Sequence, residues 1–329
     1  MRVSISVKRG DTYLDPSMTN QNGKINIVLN NNKNKPLKVT HVKVDNEPLR
    51  SAAANEQHKV LNDIERELAE LVGLGEMKKI VKEIYAWIFV NKKREEIGLK
   101  AEKQVLHMMF KGNPGTGKTT VARLIGKLFL EMNVLSKGHL IEAERADLVG
   151  EYIGHTAQKT RDLVKKSLGG ILFVDEAYSL ARGGEKDFGK EAIDTLVKHM
   201  EDKQHEFILI LAGYKREMED FLRTNPGLVS RFPIIIDFPD YTVDELMEIT
   251  NRMLIERQYV LSKEAEWKIR DHLLQMKNVL LPSAFSNGRY VRNIIEKSIR
   301  AQAMRLLLRE TYERSDLITI ESRDLVLKW

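Results

Sequence analysis

Cysteine is absent from this chain of 329 residues. Disulfide staples, thiolate metal sites and cysteine nucleophiles are therefore excluded, and a reducing compartment is allowed. Long apolar runs are missing as well. The start, MRVSISVKRG, lacks the unbroken apolar stretch of a signal peptide, and the run from Phe207 to Ala212 is far too short to cross a bilayer. The expectation is a soluble, cytoplasmic protein with no membrane span. The eight histidines show no HExxH or other close metal spacing, so they are read as surface or packing residues. A concentrated charge of one sign is lacking too: of a formal net charge of +6, residues 1–58 supply most, with nine Lys/Arg against five Asp/Glu. The remaining body is nearly neutral and has no basic block, so nucleic acid is not an expected partner.

What is present divides by character. From Asn20 to Asn34 seven asparagines surround a short apolar group, followed by the alternating LKVTHVKV, which reads as a small β unit. LRSAAANEQH, residues 49–58, reads as a linker. From Lys59 helical patterns take over, and then strands and helices alternate, which predicts an α/β fold with a parallel sheet flanked by helices. The five expected strands are Val105–Phe110, His139–Glu144, Ile171–Val174, Phe207–Ala212 and Ile234–Phe238. After Pro239 amphipathic helices follow one another with no convincing strand. The expected domains are 1–58, β-rich and of unknown role; 59–238, α/β; and 239–329, helical.

The chemistry concentrates after the first strand. Gly112 to Thr119 fit G-x-x-x-x-G-K-[ST] at a strand-to-helix junction, the context this phosphate-binding loop requires. Its glycines let backbone N–H groups face phosphates, and the helix behind adds its positive end. The expected contacts run through Gly112, Asn113, Pro114, Gly115, Thr116, Gly117, Lys118, Thr119 and Thr120. Lys118 reaches the β- and γ-phosphates, and the Thr119 hydroxyl ligates Mg²⁺. Further on, GGILFVDEA ends an apolar strand in Asp175 and Glu176. Two carboxylates at that position need a cation to offset their desolvation. Asp175 is expected to hold the metal and Glu176 to take a proton from the water attacking ATP.

GNPGTGKT, ILFVDEA, NPGLVSRF and NGRYVRN together resemble the AAA+ superfamily and its CbxX/CfxQ branch over about residues 62 to 325. That resemblance implies a helical lid after the α/β domain. It implies that Leu71 to Leu74, with Val72 and Gly73 at the centre and Lys78 beyond, packs against adenine. Arg231 resembles the arginine finger that reaches a neighbouring subunit's nucleotide, with Arg223 a weaker competitor. Arg289 resembles the lid's sensor arginine, with Arg292 one turn later. One departure stands out: where a polar sensor residue usually ends the fourth strand, this chain has Gly213 and Tyr214.

Tyr152, Ile153 and Gly154 resemble the aromatic, hydrophobic, glycine loop that lines the pore of substrate-threading rings, and GGEKDFGKE (183–191) is expected beside it as a second loop. An aromatic grips any polypeptide by area and stacking. A finger acting in trans implies a homo-oligomer, expected as a hexamer, that pulls on a protein client. The resemblance implies a role in spore formation; the alternatives are a Rubisco-activase-like remodeller, which the same branch includes, and an ATP-switched scaffold with little turnover.

Overall fold

Short β-branched and aliphatic runs with no polar face form strands only where helices cover both sides, and here they do. The computed structural model describes residues 59–101, 104–152, 154–182, 187–279 and 285–327. The asparagine-rich β unit expected within residues 1–58, Ile153, and residues 183–186 of the expected second loop lie outside these. Two helices lead in, α1 (Lys59–Ala69) and α2 (Gly75–Glu96). Then come β1 (Met108–Gly112), α3 (Lys118–Glu131), β2 (Leu140–Ala143), the single turn α4 (Arg145–Leu148), α5 (His155–Ser167) and β3 (Ile171–Val174). A 3-10 turn, Ala177–Ala181, precedes α6 (Gly189–Asp202), β4 (Ile208–Gly213), α7 (Lys215–Thr224), α8 (Pro226–Val229) and β5 (Ile234–Phe238).

All five strands pair in parallel in the order β2-β3-β4-β1-β5. Their side chains alternate between two apolar cores. Met108 and Phe110, Ile171 and Phe173, and Ile208 and Ile210 point into the one shared with α2 and α3. Met109, Leu172, Val174, Leu209 and Leu211 point into the other, with residues of α5, α6 and α7. The expected strands are all present, Ile171–Val174 and Ile234–Phe238 with the expected ends and the other three with shifted ends. β1 starts at Met108 rather than Val105, because the buried His107 ring takes over: its Nδ1 accepts the Leu209 N–H at 3.0 Å. Burial holds the imidazole neutral, its pKa lowered to about 4. The strand's other end runs on to Gly112, in register with Phe238.

Beyond β5 the chain forms α9 (Val243–Glu256), α10 (Lys263–Val279), α11 (Asn287–Leu307) and the short α12 (Arg314–Ile318). Thr242 opens α9 with a capping box: its hydroxyl accepts the Glu245 N–H at 3.2 Å, and the Glu245 carboxylate accepts the Thr242 N–H at 2.7 Å. Periodicity anticipated helices alone here. The structure adds a two-residue parallel pair, β6 (Val260–Leu261) with β7 (Thr319–Ile320), too short to leave a pattern in sequence. Gln302, buried in α11, donates to the carbonyls of Asp316 and Thr319, each at 2.9 Å, and so ties this return strand to the helix. Beside it Arg305 grips Asp324 with both arms of its fork, Nε to Oδ1 at 2.7 Å and Nη2 to Oδ2 at 2.8 Å.

Asp324 is 2% exposed. Burial alone would raise its pKa, but the Arg305 hydrogen bonds and the Glu321 N–H outweigh it and hold the carboxyl below the usual range. A carboxyl with a depressed folded pKa stabilises above its unfolded value and loses that contribution as pH falls through the folded one. Arg305→Ala is expected to cost about 3–5 kcal/mol in urea unfolding, because a buried carboxylate loses its partner. The difference from the unsubstituted chain should shrink as pH is taken below the carboxylate range.

Candidate active site

β1 lies between β4 and β5, which precede and follow it in the sheet on opposite sides. A crevice at the carboxyl ends of such strands is the expected ligand position in an open α/β sheet. A cavity of about 530 Å³ sits there. Its floor is the loop after β1, Gly112, Pro114, Gly115 and Gly117, followed by Lys118, Thr119 and Thr120 at the start of α3. Asp175 and Glu176 after β3, with Gly213 and Tyr214 after β4, form one wall. Leu71, Val72 and Leu74 between α1 and α2 form another, facing Ile249 and Met253 of α9. Tyr241, Gly288, Arg289 and Arg292 close the lid side.

The loop's path requires its glycines. Gly115 and Gly117 have φ of 71° and 95°, values that L side chains rarely adopt. A Cβ on Gly115 would lie 2.1 Å from the Ser286 carbonyl oxygen. Lys118 folds over the loop, its Nζ donating to the Gly112 and Asn113 carbonyls at 2.8 Å each. Burial lowers its pKa; Asp175, Asp240 and Glu176 act in the opposite sense and Arg289 with it. The set fits a nucleotide triphosphate: a glycine cradle that a Cβ would fill, a half-buried ammonium, and a helix N-terminus behind it. It also fits Mg²⁺. Thr119 and Asp175 offer a hydroxyl and a carboxylate, and no three His, Asp or Glu gather into a cage among the described residues. Mg²⁺ takes one or two protein oxygens and completes its shell with phosphate and water.

Several expected residues turn their side chains elsewhere. Thr116 is fully buried beneath the loop, its hydroxyl donating to the Asn113 carbonyl at 2.8 Å. The Asn113 amide turns away to Asp240, with Nδ2 at 3.0 and 2.9 Å from the two carboxylate oxygens. Their side chains brace the loop instead of lining the cavity. Gly73 is off the wall that Val72 and Leu74 form, covered by the Glu245 carboxylate, 2.3 Å from where a Cβ would stand. Lys78 holds that turn through the Leu71 carbonyl at 2.6 Å.

The carboxylates are presented by backbone. The Asp175 N–H donates to the Ala143 carbonyl at 2.9 Å, and Glu176 takes φ 46°, its N–H donating to Asp175 Oδ1 at 2.9 Å. A glutamate in the left-handed region is uncommon and marks local strain of the kind found at functional sites. Tyr214 stands on the wall near them; burial and the Glu176 charge raise its pKa, so the hydroxyl stays a donor. Arg231 is not on the cavity. It pairs with Glu201, Nε to Oε1 at 3.0 Å, and with the Gly227 carbonyl on the same chain. Arg223 is exposed beside Asp220. Tyr152 is 65% exposed, with the His155 ring edge-on at 5.4 Å. Gly154 stands at the N-cap of α5 with φ 81°.

The residues that join loop and lid went unrecognised in the sequence. Asn287 is fully buried; its Nδ2 donates to Asp240 Oδ1 at 2.7 Å and its Oδ1 accepts the Tyr241 N–H at 3.0 Å. The Tyr241 hydroxyl, its pKa raised to about 12 by burial and the nearby Glu245, donates to the Thr116 carbonyl at 3.0 Å. The Gly288 N–H donates to the Gly115 carbonyl at 3.1 Å. Asn287 stands in the same NGR string as Arg289, and its φ of 46° is the signal an asparagine there could have carried.

Comparison with known proteins follows the same division. Residues 108–240 match the AAA family, "ATPase family associated with various cellular activities", and residues 242–329 match the AAA lid domain. The chain is 71% identical over 308 residues to "Stage V sporulation protein K" of Bacillus subtilis (strain 168), covering 93% of this chain and 95% of that protein. It is 44% identical over 271 residues to "Protein CfxQ homolog" of Guillardia theta, covering 81% and 90%. It is 42% identical over 270 residues to "Ribulose bisphosphate carboxylase/oxygenase activase, chloroplastic" of Cyanidioschyzon merolae (strain NIES-3377 / 10D), also covering 81% and 90%. In fold it is similar to the AAA domain of FIGL-1 in complex with ADP, at TM-score 0.53 and 17% identity, covering 84% of this chain and 90% of that one.

Asn287→Ala leaves the Tyr241 N–H and one side of Asp240 without partners. Each lost partner of a buried group costs about 1–3 kcal/mol. The variant is expected to unfold at lower urea concentration and, because Arg289 and Arg292 follow it in α11, to bind ADP at least several-fold more weakly in a fluorescent-nucleotide titration.

Proposed function

The chain belongs to the AAA family of ATPases, in the group that includes the CfxQ homologues, and from that premise we propose that it works as a hexameric ring that hydrolyses ATP to pull on a protein client during spore formation. The observation that carries this reading is the gathering of Lys118, Thr119, Asp175, Glu176, Tyr214 and Arg289 on one cavity while Arg231 stands outside it. An arginine that stands off its own site, paired with Glu201, suits a role in a neighbour's.

In this reading the loop N–H groups and Lys118 hold the β- and γ-phosphates. Mg²⁺ at Thr119 and Asp175 would neutralise charge on the transferring phosphate. Glu176 takes the proton of the attacking water as its oxygen bonds to the γ-phosphorus, and ADP leaves. Tyr214 orients that water through its hydroxyl. Arg231 of the adjacent subunit would leave Glu201 and stabilise the transition state, a contribution worth about 10³–10⁵ in rate for arginine fingers elsewhere. Val72, with Ile249 and Met253 opposite, encloses the flat base in an apolar slot. Arg289 and Arg292 report the nucleotide to the lid. Tyr152, Ile153 and Gly154 grip the client, in keeping with a tyrosine left exposed.

The greater likeness to the sporulation protein than to the activase supports spore formation over a Rubisco client. An intact Glu176 supports turnover over a nucleotide-switched scaffold.

Glu176→Gln is expected to lower kcat by about 10²–10⁴, the usual share of a general base, while sedimentation still shows ATP-dependent assembly. Arg231→Ala should be equally inactive alone. Mixed in equal amounts, the two should recover activity, because a subunit with Glu176 then meets a neighbour with Arg231. Mixing without recovery would sink the trans arrangement, and turnover that persists in Glu176→Gln would sink its role as base.

A further inference from the structure

Asp175 and Glu176 are walls of two cavities. Behind the first lies a second of about 500 Å³, whose far side is the segment from Glu144 to Glu151 that leads into Tyr152. One side chain ties that segment to the catalytic turn. Arg145, the first residue of α4, donates from Nη1 to the Ser179 carbonyl at 2.6 Å and pairs through Nη2 with Asp187. Ser179 in turn donates its N–H to the Glu176 carbonyl at 2.7 Å. A single residue therefore separates the guanidinium from the backbone of the proposed base.

The other side of Arg145 leads outward. Its carbonyl accepts the Val149 N–H at 2.9 Å, and Lys159 of α5 donates to the Ala146 and Val149 carbonyls at 3.2 and 3.1 Å. The Gly150 N–H donates to the buried Thr156 hydroxyl at 2.9 Å, and a Cβ on Gly150 would lie 2.5 Å from that of His155. His155 donates its N–H to the Tyr152 carbonyl at 3.1 Å and meets its ring edge-on. Hydrogen bonds and close packing thus run without a break from Glu176 to Tyr152 by way of Arg145.

Capping α6 would require only the pairing with Asp187, whose Oδ1 also accepts the Gly189 N–H at 3.0 Å. The second arm, on Ser179, has no use in that cap. A planar fork holds two acceptors at a set separation, which a lysine cannot do. With side-chain exposures of 33% and 12%, Arg145 and Asp187 are held more firmly than an ordinary surface pair.

We infer that Arg145 is a positioning residue that couples the catalytic turn to the Tyr152 segment, so that the nucleotide state at Glu176 sets the posture of the gripping loop. This rests on the roles proposed above for Glu176 and Tyr152. Coupling of this kind is a free energy shared between two sites, and a continuous set of contacts earns it only when perturbation breaks it.

The absence of cysteine makes the test direct. Tyr152→Cys supplies one labelling position for an environment-sensitive thiol dye, read in the full chain carrying Glu176→Gln with ATP or ADP bound. The ATP-against-ADP difference in emission is expected to fall at least fivefold with Arg145→Ala and with Arg145→Lys, while affinity for a fluorescent ADP analogue changes less than twofold. Asp187→Asn, which weakens the α6 cap and spares the Ser179 bond, should keep the difference. Should Arg145→Ala fail to fold, Arg145→Lys carries the same test. A difference that survives both Arg145 substitutions overturns the inference alone. No difference with Arg145 intact overturns it together with the role of Tyr152, and a loss matched by an equal loss of ADP affinity reduces Arg145 to scaffolding. The role of Glu176 stands or falls separately, on turnover.

Discussion

A half-buried ammonium governs the arrangement of this molecule. Lys118 sits where β1 gives way to α3, partly buried on the cavity wall, and burial works against its charge. It remains favourable there because the Gly112 and Asn113 carbonyls accept from it and three carboxylates lie in its field. Those carboxylates arrive from separate places, Asp175 and Glu176 at the end of β3 and Asp240 after β5. Only a parallel sheet, which delivers every strand end to one edge, brings them together. The same positive centre is what an anionic substrate would meet on entering.

Asp240 does more than balance charge. It accepts from Asn113 in the loop and from Asn287 at the head of α11, so one carboxylate spans the floor of the cavity and its lid. With the Tyr241 hydroxyl and the Gly288 N–H it makes a polar junction in which each donor is satisfied. Such networks are costly when half made and rigid when complete. Arg289 and Arg292 owe their place over the cavity to this junction, since α11 can start only where Asn287 is held.

The sheet register supplies the remaining link. Ala143 of β2 pairs with Val174 of β3, so the turn that presents Glu176 and the turn that leads to Tyr152 leave the sheet side by side. Arg145 bridges two neighbours rather than reaching across the fold. The two turns share a cavity wall because of one strand pairing.

The phosphate loop and its flanking strand are legible in the sequence because both are local: glycines that permit positive φ, an apolar run of strand length, and a lysine at a helix start. The DE pair after an apolar strand and the succession of lid helices are local in the same way. Strand ends were less legible, since β1 starts only at Met108 for the sake of a hydrogen bond between His107 and Leu209, 102 positions on. Only the tertiary structure decided that Asn113 and Thr116 face inward as braces, that Glu245 covers Gly73, that Arg231 rests on Glu201 away from the cavity, and that Asn287 fastens lid to loop. Each of these is a pairing between residues far apart in the chain or a choice of side-chain direction at a turn. Neither leaves a period or a spacing in sequence. What the amino-acid order determined by itself was the local conformation that can cradle a phosphate; which side chains surround it followed from packing.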